Sequence, residues 1–462
     1  MTSAIDDELS KLRSDLDAAR RTIAEQNARI EKLLGLVESL QRGHKRQAAP
    51  FSKGPPKPDP RPPGRKPGDA YGRHAMRSAP TSIDEVYDAP LPERCPICEA
   101  SIALESVEIQ YQTEIPRRPI QRQFNIQVGR CTCCRKRVQG RHPLQTSNAL
   151  GAAASQIGPD AQSLATILNK DAGLSHGKIQ AFFKTAFGIV IARATSARTM
   201  LRAALRCEPA FHEIQIAVKH SNACVPDETG WKVGGLLQWL HAFVTANATL
   251  YLIRDSRGFD VAEEALGEHY SGALTHDGWK TYEQFESAVH GQCNAHLLRR
   301  CNHLLEVATR GAVIFPRQVK TLLLKGLALR DDREAQELTL EACAKKARTM
   351  SRTLESLCGP KTHPGNEQFA KFLYQRADEV FNYLRDPRLD ATNWRAEQAI
   401  RPAVVNRKVW GGNRTAAGAE AQGRLTSVLR TCWQRGFHAL DFLSKTLRAT
   451  PGQVPKLLLA AH

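Results

Sequence analysis

The sequence predicts a multidomain α+β protein, and three observations carry that prediction. A seven-residue apolar repeat opens the chain, two C-x-x-C pairs bracket a strand-like stretch, and a run of strands after residue 220 gives way to helices. At 462 residues the chain is long enough for several cores. Its 65 Lys and Arg against 47 Asp and Glu leave a formal charge of +18, which suits a polyanionic partner, nucleic acid ahead of a membrane surface. The most apolar stretch, 236–253, is interrupted by Gln238, His241 and Asn247, so no membrane span is expected. The opening MTSAIDDELS is acidic and polar, unlike a secretory leader, and a cytoplasmic protein is expected. Its 12 cysteines are then expected as thiols, so clustered ones point to metal.

Taken in order, residues 1–42 repeat Leu9, Leu16, Ile23, Ile30 and Val37 every seven positions, with Leu12, Ala19, Gln26, Leu33 and Leu40 three further on. That seam predicts a parallel coiled coil and a homodimer or higher assembly; a lone amphipathic helix is the alternative. Residues 43–90 are rich in Pro, Gly, Lys and Arg and read as an extended linker, either holding DNA through its charge or acting as a spacer. Within 91–145, Cys95 and Cys98 and then Cys131 and Cys134 flank the alternating VEIQYQTEI and RQFNIQV. Two such knuckles predict one four-thiolate zinc site in a ribbon-like module, because each x-x bend turns two soft ligands toward one tetrahedral ion. Cys133 is a spare thiol, and the basic run after it includes Arg135, Lys136 and Arg137 as DNA-binding candidates. Residues 146–210 read as helices, with Gly173 a stop and Ser175 a new N-cap; a helix-turn-helix and an ordinary helical module both fit.

From 211 to 410 the pattern is strand, strand, strand, helix, strand, helix, a mixed sheet. VPDETGWKV alternates so that Val225, Asp227, Thr229 and Trp231 share one face, which sets Asp227 among apolar neighbours and in need of a cation. Asp277 ends a later strand in THDGWKTY, with a helix expected after it, and Glu397 lies in a helix expected to run from Thr392 or Asn393 to Pro402. Three such carboxylates suit two Mg²⁺ ions about 3.5–4 Å apart, acting on a phosphodiester. The bland alternatives are Glu397 paired with Arg401 and Asp277 with Lys280. His276 and His296 are either beside the metals or structural. Residues 411–462 read as a C-terminal helical segment.

VPDETGWKV, THDGWKTY, CNAHLLRR and NWRAEQAIRPAVVNRKVWGGNRT together resemble the IS66 family of bacterial insertion-sequence transposases, and the order of coil, basic linker, CPIC…CTCC and helices fits over nearly the whole chain. The resemblance implies an RNase H-like catalytic domain with a DDE triad at Asp227, Asp277 and Glu397, and a helical insertion at about 297–390. It also implies Mg²⁺-dependent cleavage at terminal inverted repeats and transfer of the freed ends into target DNA, with accessory proteins of the same element as further partners. Lys280, Arg299, Arg300, Arg407, Lys408 and Arg414 are the basic residues expected to meet DNA near that triad. Trp394 and Gln398 replace an Asn and an Arg of the family pattern, and Asn294 replaces a Trp. A zinc-containing DNA-binding regulator without catalysis, a nuclease that cuts without joining, and an inactive remnant are the competing readings.

Overall fold

The computed structural model describes residues 79–449 apart from 114, 116, 117, 146 and 152–155, together with 453–458 and positions 11, 16, 19, 20, 22, 23, 25 and 26. The chain divides into two compact units, Met1–Pro116 and Arg117–His462. In the first unit the described positions between 11 and 26 are helical, and Leu16 and Ile23 of the heptad are exposed. The other positions of that seam, apart from Ala19 and Gln26, and the linker up to residue 78 lie outside the described residues. Residues 79–113 hold no strand. The alternating Val107, Ile109 and Tyr111 stay exposed, contrary to the ribbon expected there. An alternating segment becomes a strand only when a neighbour takes its amides and carbonyls, and the described residues of this unit supply none.

The second unit begins with a small hairpin, β1 (Val128–Arg130) and β2 (Arg137–Gln139). Four helices follow: α1 (Pro159–Lys170), α2 (His176–Phe187), α3 (Arg193–Arg206) and α4 (Glu208–Lys219). Ser175 Oγ accepts the Lys178 amide at the start of α2, and Gly173 before it takes φ +71°, so the stop and restart sit where the residues place them. A five-stranded mixed sheet comes next, built from β3 (Ala223–Val233), β4 (Leu236–Val244), β5 (Thr249–Arg254), β6 (Ala273–His276) and β7 (Val289–Gln292) in the order β5-β4-β3-β6-β7. The first three strands are antiparallel, and β6 and β7 run parallel to β3. Gly234 and Gly235 join β3 to β4 with φ of +59° and +87°, the two positive values a two-residue primed turn requires. Helix α5 (Phe259–Leu266) carries the chain across to β6.

Three sequence expectations change here. After Asp277 there is only a 3₁₀ turn at Tyr282–Gln284, and then the unexpected strand β7. VHGQ is too short and too polar to show a period, yet its backbone is claimed by β6 on one side, while Asn382 Nδ2 donates to His290 O at 2.8 Å. Between β7 and the last acid run α6 (Asn294–Val307), α7 (Ile314–Glu334), α8 (Leu340–Leu357), α9 (Pro364–Gln375) and the short α10 (Ala377–Val380), an all-helical stretch with its own core around Leu323, Met350, Phe369 and Phe381. Finally, Pro402 does not end its helix. Helix α11 spans Trp394–Trp410 with Pro402 inside it, and Ala396, Ala399, Ile400 and Ala403 pack on Val225, Leu240, Ala242 and Tyr251 of the sheet. That packing outweighs the one lost backbone bond.

Helices α12 (Ala416–Gln434) and α13 (Ala439–Arg448) close the fold. The edge strand β5 is covered by α12, whose Ser427 and Thr431 hydroxyls accept the Tyr251 and Thr249 amides at 2.8 and 3.2 Å. Gly423 permits this approach, since a Cβ there would meet Tyr251 O at 2.8 Å. One core joins α1–α4, the opposite face of the sheet, α12 and α13, so packing runs across the divisions expected at 210 and 410.

Candidate active site

The first acid is set by strand alternation. Asp227 lies on the face of β3 that also carries Val225 and Trp231, the face covered by α11. The second is set by register. β3 and β6 pair Ala223 with Ala273 and Cys224 with Leu274, and the same offset carried along both strands brings Asp227 level with Asp277, the residue just past the end of β6. The third comes from the first turn of α11, where Glu397 N bonds Asn393 O at 3.0 Å.

Their electrostatics show a shared neighbourhood. Burial raises the Asp227 carboxyl to about 7, and the negative charges of Glu228, Asp277 and Glu397 push in the same direction. Asp227 Oδ1 accepts the Glu228 amide at 2.9 Å, which only partly offsets this. His296, on the first turn of α6, feels Asp277 and Glu397 together, although burial and then Arg299 hold its pKa below the usual value. Its Nδ1 is buried without a hydrogen-bond partner. Among the described residues, no three His, Cys, Asp or Glu side chains stand close enough to hold an ion as they are. Glu397 is turned to Arg299, with Nη2 to Oε1 at 2.6 Å.

The residues beside the acids are fixed by buried bonds that sequence reading missed. Glu228, on the other face of β3, is almost fully buried; it accepts from Arg257 Nε at 2.7 Å and Tyr282 Oη at 2.8 Å. Asp277 Oδ1 accepts the Trp279 amide at 3.0 Å rather than standing as a Lys280 pair. His276 is structural. Gly278 N donates to its Nδ1, so its Nε2 carries the proton and donates to His290 Nδ1, and His290 Nε2 then donates to Phe285 O. Burial, with His290 and Arg376 nearby, lowers the His276 pKa to about 3, which keeps His276 neutral. Cys293 joins the elements bearing the second and third acids: its amide donates to His276 O at 2.8 Å, and its sulfur exchanges bonds with Asn393 Oδ1 and N at 3.1 and 3.2 Å. A carboxylate inside a strand signals Glu228 as clearly as Asp227, whereas Arg257 and Tyr282 carry no pattern that could reveal them.

The basic candidates divide. Lys280, Lys408 and Arg414 are exposed. Arg407 is spent inside the fold, donating to Thr229 Oγ1 at 3.1 Å and to Gly230 O. Arg300 lies over the rings of Phe369 and Phe372 at 4.8 and 5.2 Å. Arg135, Lys136 and Arg137 follow the second cysteine knuckle and are exposed. Each knuckle has the same backbone. Cys95 N bonds Ala100 O and Glu99 N bonds Cys95 O, with φ +59° at Glu99; Cys131 N bonds Lys136 O and Arg135 N bonds Cys131 O, with φ +60° at Arg135. Nearby backbone amides, chiefly those of Ile97 and Cys134, lower the Cys95 and Cys131 pKa values toward the thiolate.

A mixed sheet with one carboxylate on β3 and a second just past the end of the adjacent β6, faced by a helix bearing a third and followed by a helical stretch, defines a mixed α/β protein with an acidic site set in a basic chain. The family model described as "Transposase IS66 family" matches residues 155–421, more than half of the sequence, and the chain belongs to that family. The uncharacterized protein y4qI of Sinorhizobium fredii is 27% identical over 219 residues, covering 43% of this chain; the match spans 39% of that relative's length. Among the described residues no helix is long and apolar enough to cross a membrane.

Proposed function

We propose that the protein is a DDE-type DNA transposase that hydrolyses a phosphodiester at each terminal inverted repeat of its insertion sequence and drives the freed 3′-hydroxyl into target DNA. The observation that carries this is the β3–β6 pairing of Ala223 with Ala273 and Cys224 with Leu274, whose offset, continued past the paired residues, matches Asp227 with Asp277; the charges of Asp277 and Glu397 both act on Asp227, which burial raises to about 7. Among the described residues Glu228 is ion-paired with Arg257 and Glu397 with Arg299, while the charges of Glu228, Asp277 and Glu397 all act to raise Asp227. An all-oxygen donor set with excess charge fits Mg²⁺, and Asp227, Asp277 and Glu397 are the residues that would hold it. When bound, Mg²⁺ supplies activation of a water or 3′-hydroxyl and charge stabilisation at the phosphate.

The chain's own part is positioning. β3 and β6 fix two acids at one level, the Cys293–Asn393 pair fixes the helix start that presents the third, and Arg299 must leave Glu397 before that carboxylate is free. An RNase H-like reading of this domain is supported by the strand order with its antiparallel β3–β4–β5 part continued by parallel β6 and β7, and by the helix carrying the final acid across the sheet. Zinc is the ion proposed for the thiolates of Cys95, Cys98, Cys131 and Cys134; the identical knuckles support it. DNA is the partner, and dimerisation is assigned to the heptad of residues 1–42.

The test is Mg²⁺-dependent nicking of a duplex carrying the element's ends, followed by joining of pre-cut ends to a plasmid. Asp227→Ala is expected to abolish both while end binding persists. Full cleavage by that variant overturns the assignment; cleavage without joining supports a nuclease, and end binding without cleavage by the native protein supports a regulator.

A further inference from the structure

Arg257 is a hub rather than a surface cation. Its guanidinium bonds the buried Glu228 and lies over two indoles, Trp239 at 4.9 Å and Trp279 at 4.0 Å from the ring centroids. Its carbonyl accepts from Trp279 Nε1 at 3.4 Å and from Thr281 Oγ1 at 3.5 Å. Trp279 is held from its backbone as well, since its amide donates to Asp277 Oδ1 at 3.0 Å and Gly278 turns the chain ahead of it at φ +88°. Yet Trp279 as a residue is 38% exposed. With Arg257 over one face of the indole, the other face and the edge are what a ligand would have to use.

A large aromatic ring, fixed at four points and left open on one side, is costly to leave in water unless something covers it. Its neighbours indicate what does. Lys280 is the next residue and is exposed, so an aromatic face and a cation stand side by side on one short segment. Asp277, two residues back, is one of the three clustered acids. The chain's charge of +18 favours a polyanion. A cation beneath an indole also draws electron density from its far face, which favours stacking with an electron-rich purine. A nucleobase with its phosphate matches a ring and an ammonium in that arrangement, and stacking on one aromatic face requires the base to leave its duplex neighbours.

We propose that Trp279, backed by Arg257, is a stacking platform for one unpaired base of the DNA strand that enters the acidic site, with Lys280 on the adjoining phosphate. Trp279 is a positioning residue here; it touches the base and not the reacting atoms. The proposal deepens the functional reading above and rests on it for the place of the platform, but its test does not need cleavage.

The probe is a mixed-sequence single strand about 12 nucleotides long, with a fluorescent purine analogue moved along it, titrated with the full chain in EDTA. Native protein is expected to quench the analogue at one or two positions, and Trp279→Ala to bind about tenfold more weakly and lose that quench. Trp279→Phe should restore much of both, which a merely structural role for the indole nitrogen would not do. The titration reads binding and quench without cleavage, so a failed catalytic assignment leaves this result readable. Far-ultraviolet circular dichroism confirms that each variant folds, and Arg257→Lys, which keeps a cation but loses the planar support, gives an independent intermediate loss. Native affinity and quench in folded Trp279→Ala overturn the platform, as does equal quench at every position.

Discussion

Replacing Asp227 by Asn tests the charge crowding at the site without reference to DNA. Asp227 titrates near 7 in the folded chain against an ordinary value of 3.8, because burial and the carboxylates of Glu228, Asp277 and Glu397 disfavour its charge. A raised carboxyl pKa means the folded state binds the proton more tightly than the unfolded one. The resulting stability is fully present below pH 3.8 and is lost as pH rises through 7. Raising the carboxyl from 3.8 to about 7 corresponds to about 4 kcal/mol, an upper bound once the site relaxes. Asn keeps the shape and never ionises, so in EDTA the variant should match the native protein near pH 3.5 and exceed it by roughly 2–4 kcal/mol at pH 8. Differential scanning fluorimetry at the two pH values reads this as a melting shift of several degrees. Adding Mg²⁺ at pH 8 should then raise the native midpoint and leave the variant's almost unchanged. Equal midpoints in EDTA at pH 8, or equal stabilisation by Mg²⁺, would refute the reasoning.

Three further outcomes follow from the same contacts. Arg299→Ala removes the partner from Glu397; since both side chains are partly exposed the pair is worth under about 1 kcal/mol, so metal-only affinity measured by calorimetry should tighten by no more than about fivefold, while DNA binding weakens. Glu228→Gln leaves Arg257 without its buried counter-charge and should lower the unfolding free energy in denaturant titrations by about 1–3 kcal/mol, yet shift the Asp227 titration downward, because Glu228 is the strongest charge acting on it. Cys131→Ser should reduce the zinc bound by purified protein, measured by elemental analysis, from about one ion per chain to well below half; unchanged content would dismiss the knuckle as a metal ligand.

How far the sequence reveals this protein depends on the range of the interaction involved. Features set by near neighbours can be read directly: the hairpin at Gly234–Gly235, the cap at Ser175, and Asp227's face of β3 all follow from local conformational preference or from alternation. Features set by partners distant in the chain cannot. β7 is a strand because β6 and Asn382 claim its backbone, Pro402 stays helical because the sheet holds its helix, and VEIQYQTEI fails as a strand for want of a neighbour. The same division holds at the site. Asp227 stands out because a carboxylate in an apolar strand is costly, whereas Asp277 and Glu397 are singled out by the resemblance to the family. Arg257, Tyr282 and the Cys293–Asn393 pair do not, since each is ordinary until the fold supplies its partner.

That contrast explains why two acids stand side by side in β3. Consecutive residues face opposite sides of a strand, so Asp227 and Glu228 cannot serve one site directly. Glu228 is ion-paired with Arg257 and accepts from Tyr282, and through them it ties down the segment that begins at Asp277. Among the described residues no cation is paired with Asp227, which takes only the Glu228 amide. One carboxylate therefore spends its charge on holding the neighbouring strand end in place, and the other keeps its charge available for an ion. Exchanging the roles by lengthening Asp227 to Glu would move the free carboxylate by about one methylene without disturbing the Arg257 hub. Such a variant should keep its fold and its single-strand binding while losing cleavage, and that separation is the signature expected if the two neighbours divide the work in this way.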